Sequence, residues 1–472
     1  MTDDDICWLS ATALGRQIRA RKLTSGAATS AHLNRIARID PKLEAYITVT
    51  AERALADAAA ADAEIAAGDW RGPLHGVPYC LKDIVCTKGI RTTAGSEILS
   101  DWIPDEDARV VRLLNAAGAV LLGKVNTHEF AFGATTQNTY GQTRNPWNSD
   151  RLPGGSSGGS GAALAAGLAM FSIGSDTAGS IRMPSAFCGV AGLKPSYGLV
   201  STDGVVAQSY TSDHVGPMAR SVEDLVLVMD VLAEPPPGHP ASALQPDFTA
   251  LGAATLDGLK VGIPAELMTV PLDPAVQECF NTITECLEAQ GAVIREVSIP
   301  LLARATEINS AIVPPETMAQ HQCWQATWFQ GRTIRYGQDV SRLLAAGAAV
   351  PGTATLRAQR ERDMLRQQMA AVFVTQADIL ITPTQPLLAV PRSRAFIDLE
   401  GGAMNVLQRI IHFLCGFSLT GVPALAVPSG FSPDGLPVSV QIVGPYLHDA
   451  RVLAVGMALE RVLDVLGHRP PL

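Results

Sequence analysis

Two neighbouring loops decide how this sequence folds and what it does: GGSSGGSG at residues 154–161 and GSDTAGS at residues 174–180. Each carries a serine among glycines, and the second follows an apolar run at residues 171–174 that reads as a strand. Glycine allows backbone dihedrals that other residues avoid and lets backbone N–H groups approach a ligand closely. Fixed N–H donors around a serine suit the stabilisation of a tetrahedral oxyanion. The pattern therefore predicts an oxyanion hole beside a reactive serine.

A lysine stands at the end of a third informative segment. The run GVPYCLK at residues 76–82 reads as a buried strand that ends on Lys82. A serine hydroxyl is a poor nucleophile until a base takes its proton, and lysine is the base in some serine hydrolases. The lysine must be neutral for this, and burial lowers its pKa. Lys82 is therefore the best-placed candidate base.

Strand and helix patterns alternate along most of the chain. Helical patterns occupy residues 10–21, 25–39, 51–67, 110–117, 162–169, 274–290, much of 303–369, and 450–466, and strand patterns occupy residues 45–49, 76–82, 119–122, 171–174, 259–263, 292–299, 379–383, 423–430 and 436–444. A Pro-rich linker is predicted at residues 234–238. The alternation implies an α/β sheet with helices on its faces.

Further motifs carry a resemblance to a known family. They are GVP at residues 76–78, RNPWN at 144–148, PGGSSGGS at 153–160, GSDTAGSIR at 174–182, GLKPSYG at 192–198, GPMAR at 216–220, TGVPA at 420–424 and GLP at 435–437. With these motifs the sequence resembles the amidase-signature family of serine hydrolases, most specifically between Lys82 and Arg220. The resemblance implies an α/β fold, a three-layer α/β/α sandwich around a large twisted mixed β-sheet.

The resemblance also implies how the chain is organised. One domain is expected over residues 1–472. Its parts are an N-terminal helical part at 1–70, a catalytic core at 71–235, a variable, mostly helical pocket region at 236–410, and closing strands with a C-terminal helix at 411–472.

The resemblance further implies a Ser-cisSer-Lys triad. Ser180 aligns with the acyl-accepting nucleophile, Ser156 with a bridging serine whose preceding peptide bond is cis, and Lys82 with the terminal base. The oxyanion hole aligns with the backbone N–H groups of Thr177, Ala178, Gly179 and Ser180. Asp176 and Arg182 are expected to brace this loop, and Ser157 to hold Lys82 or Ser156 in place.

The implied activity is hydrolysis of a small-molecule amide-type bond, in a carboxamide, an anilide or a carbamate. Neutral Lys82 draws a proton from Ser156, which draws one from Ser180 as that serine attacks the carbonyl. Neither a cofactor nor a metal is expected, and a homodimer is one possible assembly. Trp324, Trp328 and Tyr336 are candidates for an apolar pocket, for core packing or for a dimer contact.

Composition argues against several other classes of protein. The net charge of −9 disfavours non-specific nucleic-acid binding. The weakly polar stretch at residues 161–174 is too short for a membrane span, and the acidic start at residues 1–5 is unlike a secretory signal. The eight cysteines form no CxxC pair, and His128-Glu129 lacks the second histidine of HExxH. A reduced cytoplasmic protein without a metal site is therefore expected.

Two other functions stay open. One is an esterase with a Ser/His/acid triad that uses Ser156 or Ser157 with His214 or another histidine. The other is the amidase subunit of a tRNA-dependent amidotransferase, which works with partner subunits. Because residues 303–336 do not resemble the glutamine-binding region of that subunit, we rank a free-standing hydrolase above it. A P-loop is excluded because no GK[ST] follows the glycines.

Overall fold

The computed structural model describes residues 1–235, 248, 251–252, 254–392, 406–463 and 465–472. Residues 236–238 of the predicted linker lie outside the described residues. So do residues 236–247, 249–250, 253 and 393–405 of the predicted pocket region.

A mixed sheet of eleven strands forms the centre of the described structure. The strands of the fold are β1 (Tyr46–Val49), β2 (Pro78–Lys82), β3 (Val120–Val125), β4 (Gln137–Asn138), β5 (Gly141–Gln142), β6 (Phe171–Asp176), β7 (Ala191–Lys194), β8 (His214–Ala219), β9 (Lys260–Pro264), β10 (Val293–Val297), β11 (Ile379–Pro383), β12 (Ala424–Phe431) and β13 (Pro437–Val443). The sheet order is β1-β3-β2-β6-β8-β7-β12-β13-β11-β9-β10, and β4 and β5 form a separate ribbon.

Fourteen α-helices surround this sheet in the described part of the chain. They are α1 (Asp3–Cys7), α2 (Ala11–Arg19), α3 (Ser25–Leu43), α4 (Ala51–Ala67), α5 (Arg109–Ala116), α6 (Gly158–Ala165), α7 (Arg182–Cys188), α8 (Val222–Leu232), α9 (Pro274–Ala289), α10 (Ala305–Ala326), α11 (Gln338–Ala349), α12 (Gly352–Thr375), α13 (Val406–Thr420) and α14 (Asp449–Leu463). Helices cover both faces of the sheet, so the predicted three-layer α/β/α sandwich is confirmed.

Local sequence explains where the first long helices begin. Ser10 caps α2, because its hydroxyl accepts a hydrogen bond from the N–H of Ala13. Thr24 caps α3 in the same way through the N–H of Ala27. This helix continues to Leu43, four residues beyond the predicted end at residue 39. The Thr24 cap leaves the Ser25 hydroxyl free to donate to the carbonyl of Gly76.

The alternation of side chains along β2 decides where Lys82 lies. Successive strand residues point to opposite faces of a sheet. Tyr79 and Leu81 pack into the core that includes α8 and α14, whereas Cys80 packs into the core that includes α3 and α6. Lys82 therefore lies on the face of Cys80, towards the helix that follows the first glycine-serine loop.

Two parallel strands bring the predicted site residues together. β2 and β6 are parallel neighbours, with Leu81 paired to Ile173. Their carboxyl ends meet at one edge of the sheet, where α/β proteins build their sites. Lys82 ends one strand, and Ser175 and Asp176 end the other.

Candidate active site

Lys82 lies in the interior and contacts two hydroxyls. Its side chain is 0% exposed. Its Nζ lies 2.6 Å from Ser156 Oγ and 2.8 Å from Ser175 Oγ. Burial lowers the pKa of Lys82 to about 7, against the opposing effect of Asp213 and Asp176. A large fraction of this amine is therefore neutral at physiological pH.

Ser156 sits in a tight turn that only small residues can form. The Gly155–Ser156 peptide bond is cis, as the family resemblance implies. A Cβ atom on Gly155 would lie 2.7 Å from the carbonyl carbon of Ala134, so glycine is required there. The carbonyl of Ser156 accepts a hydrogen bond from the N–H of His128. These contacts fix the turn that presents the Ser156 hydroxyl to Lys82.

Ser157 ties the two glycine-serine loops to each other. Its hydroxyl donates to the carbonyl of Ser175 at 3.3 Å and accepts from the N–H of Ser175 at 3.4 Å. Its own N–H donates to the carbonyl of Ser180 at 3.2 Å. Its contacts thus run to the backbone of the second loop, and its hydrogen bonds in the described structure do not include Lys82.

Asp176 and Arg182 form a buried ion pair beneath the second loop. Arg182 Nε and Nη2 each lie 3.0 Å from a carboxylate oxygen of Asp176, and both side chains are 0% exposed. Burial alone would raise the pKa of Asp176, but the Arg182 guanidinium holds this pKa well below its usual range. Asp176 also accepts from the N–H groups of Gly179 at 2.7 Å and Ile181 at 3.3 Å. The pair therefore shapes the loop between these residues.

Replacement of Arg182 by methionine should strongly destabilise the fold. The substitution leaves the Asp176 carboxylate buried without its charged partner, and breaking such a pair costs about 3–5 kcal/mol. Chemical denaturation should show this loss in the free energy of unfolding. The control is Arg451→Met, which removes an exposed pair with Asp378 at 3.6 Å and should cost less than about 1 kcal/mol. Equal losses in the two variants would contradict a structural role for the buried pair.

Ser180 lies at the far side of the second loop and is partly exposed. No hydrogen bond joins its hydroxyl to Ser156 within the residues that the structure describes. The N–H of Gly179, one of four predicted oxyanion donors, is already directed at Asp176. For Thr177, Ala178 and Ser180, the described structure records no hydrogen bond from the backbone N–H. Three of the four predicted donors are therefore without a hydrogen-bond acceptor among the described residues.

His214 and His128 lie near the loops but face other groups. His214 Nδ1 lies 3.1 Å from the carbonyl of Asp176 and 2.7 Å from that of Ser212. Burial lowers the pKa of His214 well below its usual value. An esterase triad requires a hydrogen bond between a serine hydroxyl and the histidine ring. Among the residues described, no serine hydroxyl makes such a bond to His214. His128 Nε2 lies 2.8 Å from Asp339 Oδ2 on α11.

The three aromatic residues singled out from the sequence belong to one cluster. Trp324 and Tyr336 each lie 5.9 Å from the ring of Phe130, and Trp324 lies 5.4 Å from Trp328. All three are half-buried. They pack the segment that contains Phe130 against the end of α10. These contacts favour core packing over an open pocket.

Several polar residues at the site were not predicted from the sequence. Ser175 supplies the second hydroxyl on Lys82, and Asp213 bonds the Thr177 hydroxyl at 2.7 Å. Ser418 accepts from Arg182 at 2.8 Å and donates to Asp176 at 3.1 Å. Only the position of Ser175, next to Asp176 at the end of a strand, gave a signal in the sequence.

No cluster of three or more potential metal ligands occurs in the described ranges. Within the same ranges, none of the helices has the length and apolar character needed to cross a membrane.

Comparison with known proteins shows the family. A family model named Amidase matches residues 27–453. The chain belongs to the amidase-signature family.

Relatives of this amidase-signature chain include an amidotransferase subunit and a peptide amidase. It is 39% identical to a glutamyl-tRNA(Gln) amidotransferase subunit of Chloroflexus aggregans, over 99% of each chain. The structure of peptide amidase from Stenotrophomonas maltophilia is 31% identical, with a TM-score of 0.83 over 98% of each chain. A third structure, described as a vestigial protein complex revealing the evolutionary origins of an s-triazine catabolic enzyme, is 33% identical. Its TM-score is 0.88, over 98% of this chain and 100% of that one.

Proposed function

We propose that this amidase-signature enzyme hydrolyses an amide-type bond through an acyl-enzyme on Ser180, with Ser156 as proton relay and Lys82 as base. One observation carries the proposal: the Nζ of a fully buried lysine lies 2.6 Å from the hydroxyl of Ser156. Ser157, the next residue, bonds the backbone of Ser180. The base thus lies at the end of β2, and the relay and the nucleophile lie on two loops that are hydrogen-bonded to each other.

The proton route follows from the hydrogen-bonding capacity of each group. A neutral amine has one lone pair and two N–H donors, so Lys82 donates to Ser175 while its lone pair receives the proton of Ser156. Ser156 in turn takes the proton of Ser180 as the Ser180 oxygen attacks the substrate carbonyl. The proton returns through Ser156 to the leaving nitrogen, and water then releases the acid by the reverse route.

In this proposal, the backbone of the loop at residues 174–180 stabilises the tetrahedral oxyanion. The N–H groups of Thr177, Ala178 and Ser180 are free to donate to this oxygen, whereas that of Gly179 bonds Asp176. Removal of one such donor typically lowers kcat by about 10²- to 10³-fold. The buried Asp176–Arg182 pair keeps these donors fixed, so little reorganisation accompanies the reaction.

A cavity beside Ser175, whose hydroxyl contacts Lys82, has room for part of a small-molecule substrate. It has a volume of about 170 Å³, and Ser175, Asp213, Gln208 and Tyr210 contribute to its lining. An engineered apolar cavity of about 150 Å³ in another protein admits benzene. A substituent of comparable size can therefore approach the Lys82–Ser175 contact.

A second candidate function is that of an amidotransferase subunit, which the curated relatives favour over a free-standing hydrolase. The identity of 39% to such a protein extends over 99% of both chains. These relatives therefore do not support the expectation, drawn from residues 303–336, that a free-standing hydrolase is the better candidate. Both candidates require the same acyl-enzyme, and they differ in the substrate and in the need for partner subunits.

Turnover by the purified chain alone separates the two candidates. The panel contains carboxamides, anilides, carbamates and esters, together with L-glutamine. We expect hydrolysis of at least one non-glutamine amide without any partner protein. Turnover of glutamine alone, only after copurification with two other subunits, would establish the amidotransferase function instead.

A further inference from the structure

The loop at residues 208–213 connects the proposed oxyanion hole to helices far away in sequence. This 208–213 loop precedes β8 and lies between Thr177 on one side and the helices α10 and α12 on the other. It is also part of the wall of the cavity beside Ser175.

On its inner side, the loop holds the Thr177 side chain. Thr177 Oγ1 lies 2.7 Å from Asp213 Oδ1 and 2.9 Å from the Gln208 side-chain amide. The hydroxyl has one proton, so it donates to the carboxylate and receives an N–H from the amide once that group is turned by 180°. The other Asp213 oxygen accepts from the N–H groups of Gln208 at 2.7 Å and Ser209 at 3.0 Å. Thr177 is therefore fixed to a loop that is itself internally bonded.

On its outer side, the loop is hydrogen-bonded to two charged side chains. Glu316 on α10 accepts from the hydroxyls of Ser209 at 2.5 Å and Thr211 at 2.8 Å. Arg362 on α12 donates to the Thr211 hydroxyl at 2.6 Å, to the Thr211 carbonyl, and to the carbonyl of Leu419 at 2.7 Å.

The Thr211 hydroxyl completes a relay between opposite charges. It donates to the Glu316 carboxylate and accepts from the Arg362 guanidinium. Hydrogen bonds to ionised groups are about twice as strong as neutral ones, and Arg362 is only 2% exposed. The loop is thus clamped by partners that solvent does not readily replace.

We propose that Glu316 and Arg362 are positioning residues for the oxyanion hole. They fix the 208–213 loop, which fixes Thr177, the first of the three available backbone donors. This inference rests on the proposed acyl-enzyme on Ser180. Through these contacts, the helical region beyond residue 300 would influence the chemistry without contacting the reacting atoms.

A double-mutant cycle tests the proposal. Glu316→Ala and Thr177→Val are made singly and together, with kcat, KM and the inhibition constant of phenylboronic acid as readouts. Phenylboronic acid forms a tetrahedral adduct with a nucleophilic serine, and one oxygen of this adduct lies in the oxyanion hole. We expect each single variant to lower kcat about tenfold or more and to weaken inhibition by a similar factor. KM should change less than about threefold, because ground-state binding is retained.

The coupling between the two positions is decisive. If Glu316 acts through Thr177, the double variant should lose no more than the more impaired single variant. Multiplicative losses in kcat would overturn the proposal, and so would inhibition by the boronic acid that stays at the wild-type level.

Two further variants keep the test independent of folding. Glu307→Ala removes another acid of α10, one that pairs with Arg304 at 3.0 Å, and should leave kcat and inhibition unchanged. Glu316→Gln keeps one acceptor oxygen and should recover part of the kcat lost in Glu316→Ala. If Glu316→Gln unfolds like the wild type but recovers none of the lost kcat, the positioning role of Glu316 is contradicted. If Ser180→Ala stays active, the acyl-enzyme proposal is wrong. If Ser180→Ala is inactive but the kcat losses of Glu316→Ala and Thr177→Val multiply in the double variant, only the positioning role is wrong.

Discussion

Replacement of Ser180 by alanine should lower kcat for amide hydrolysis by about 10⁴-fold or more, the scale of loss when a serine nucleophile is removed. The expected loss is large because no described neighbour replaces this hydroxyl at the loop that carries Thr177 and Ala178. Ser156 is engaged with Lys82 at 2.6 Å, and Ser175 is held by the same amine at 2.8 Å. Steady-state kinetics with the best substrate of the panel measures the effect.

A matched control uses Ser160, which belongs to the same GGSSGGSG segment but lies in the first turn of α6. Ser160 accepts from Ser172 at 2.9 Å and has no described contact with Lys82. Ser160→Ala should therefore keep kcat within about threefold of wild type, since surroundings outside the site contribute little to transition-state stabilisation. Substantial turnover by Ser180→Ala would show that a different group attacks the substrate.

Replacement of Lys82 by methionine should remove nearly all activity and its dependence on pH. The base must be neutral, so protonation below the Lys82 pKa of about 7 stops the reaction. In wild type, kcat/KM should fall about tenfold per pH unit below this pKa and level off above it. Methionine fills a similar volume without a base, so kcat should drop about 10⁴-fold or more, as when other triad members are removed.

Folding of the Lys82→Met variant is expected to be retained, because an apolar side chain replaces a buried amine whose charged form is disfavoured. Denaturation midpoints of the variant and wild type provide the check. Lys82 would not be the base if the wild-type kcat/KM stayed constant from about two pH units below this pKa to about one unit above it, or if the Lys82→Met variant showed the same fall at low pH.

The sequence specified the sheet edge at which the site lies. The apolar run before Lys82 and the one before Asp176 both read as buried strands, and in the structure they are parallel neighbours. Strand periodicity then fixes the face of Lys82, since residues two apart share a face. The prediction of a cis peptide before Ser156 came from the family resemblance, because the residues themselves do not encode the isomer in a readable way.

The missed residues are those that act across long distances in sequence. Asp213 contacts Thr177 across 36 residues, Glu316 contacts Thr211 across 105, and Arg362 contacts Thr211 across 151. Each is a common polar residue in an ordinary local context, so periodicity and motif spacing carry no information about these pairs. Ser175 was missed for a related reason: its role depends on the pairing of β6 with β2.

Identification of the acylated residue is the most direct test of the account. A fluorophosphonate probe or a slowly turning-over carbamate is incubated with the chain, and tryptic peptide 152–182 is fragmented, because it contains Ser156, Ser157, Ser175 and Ser180. We predict that the added mass resides on Ser180 and that it is absent from Ser180→Ala. Stoichiometric labelling of Ser156, Ser157 or Ser175 in the wild-type chain would contradict the account.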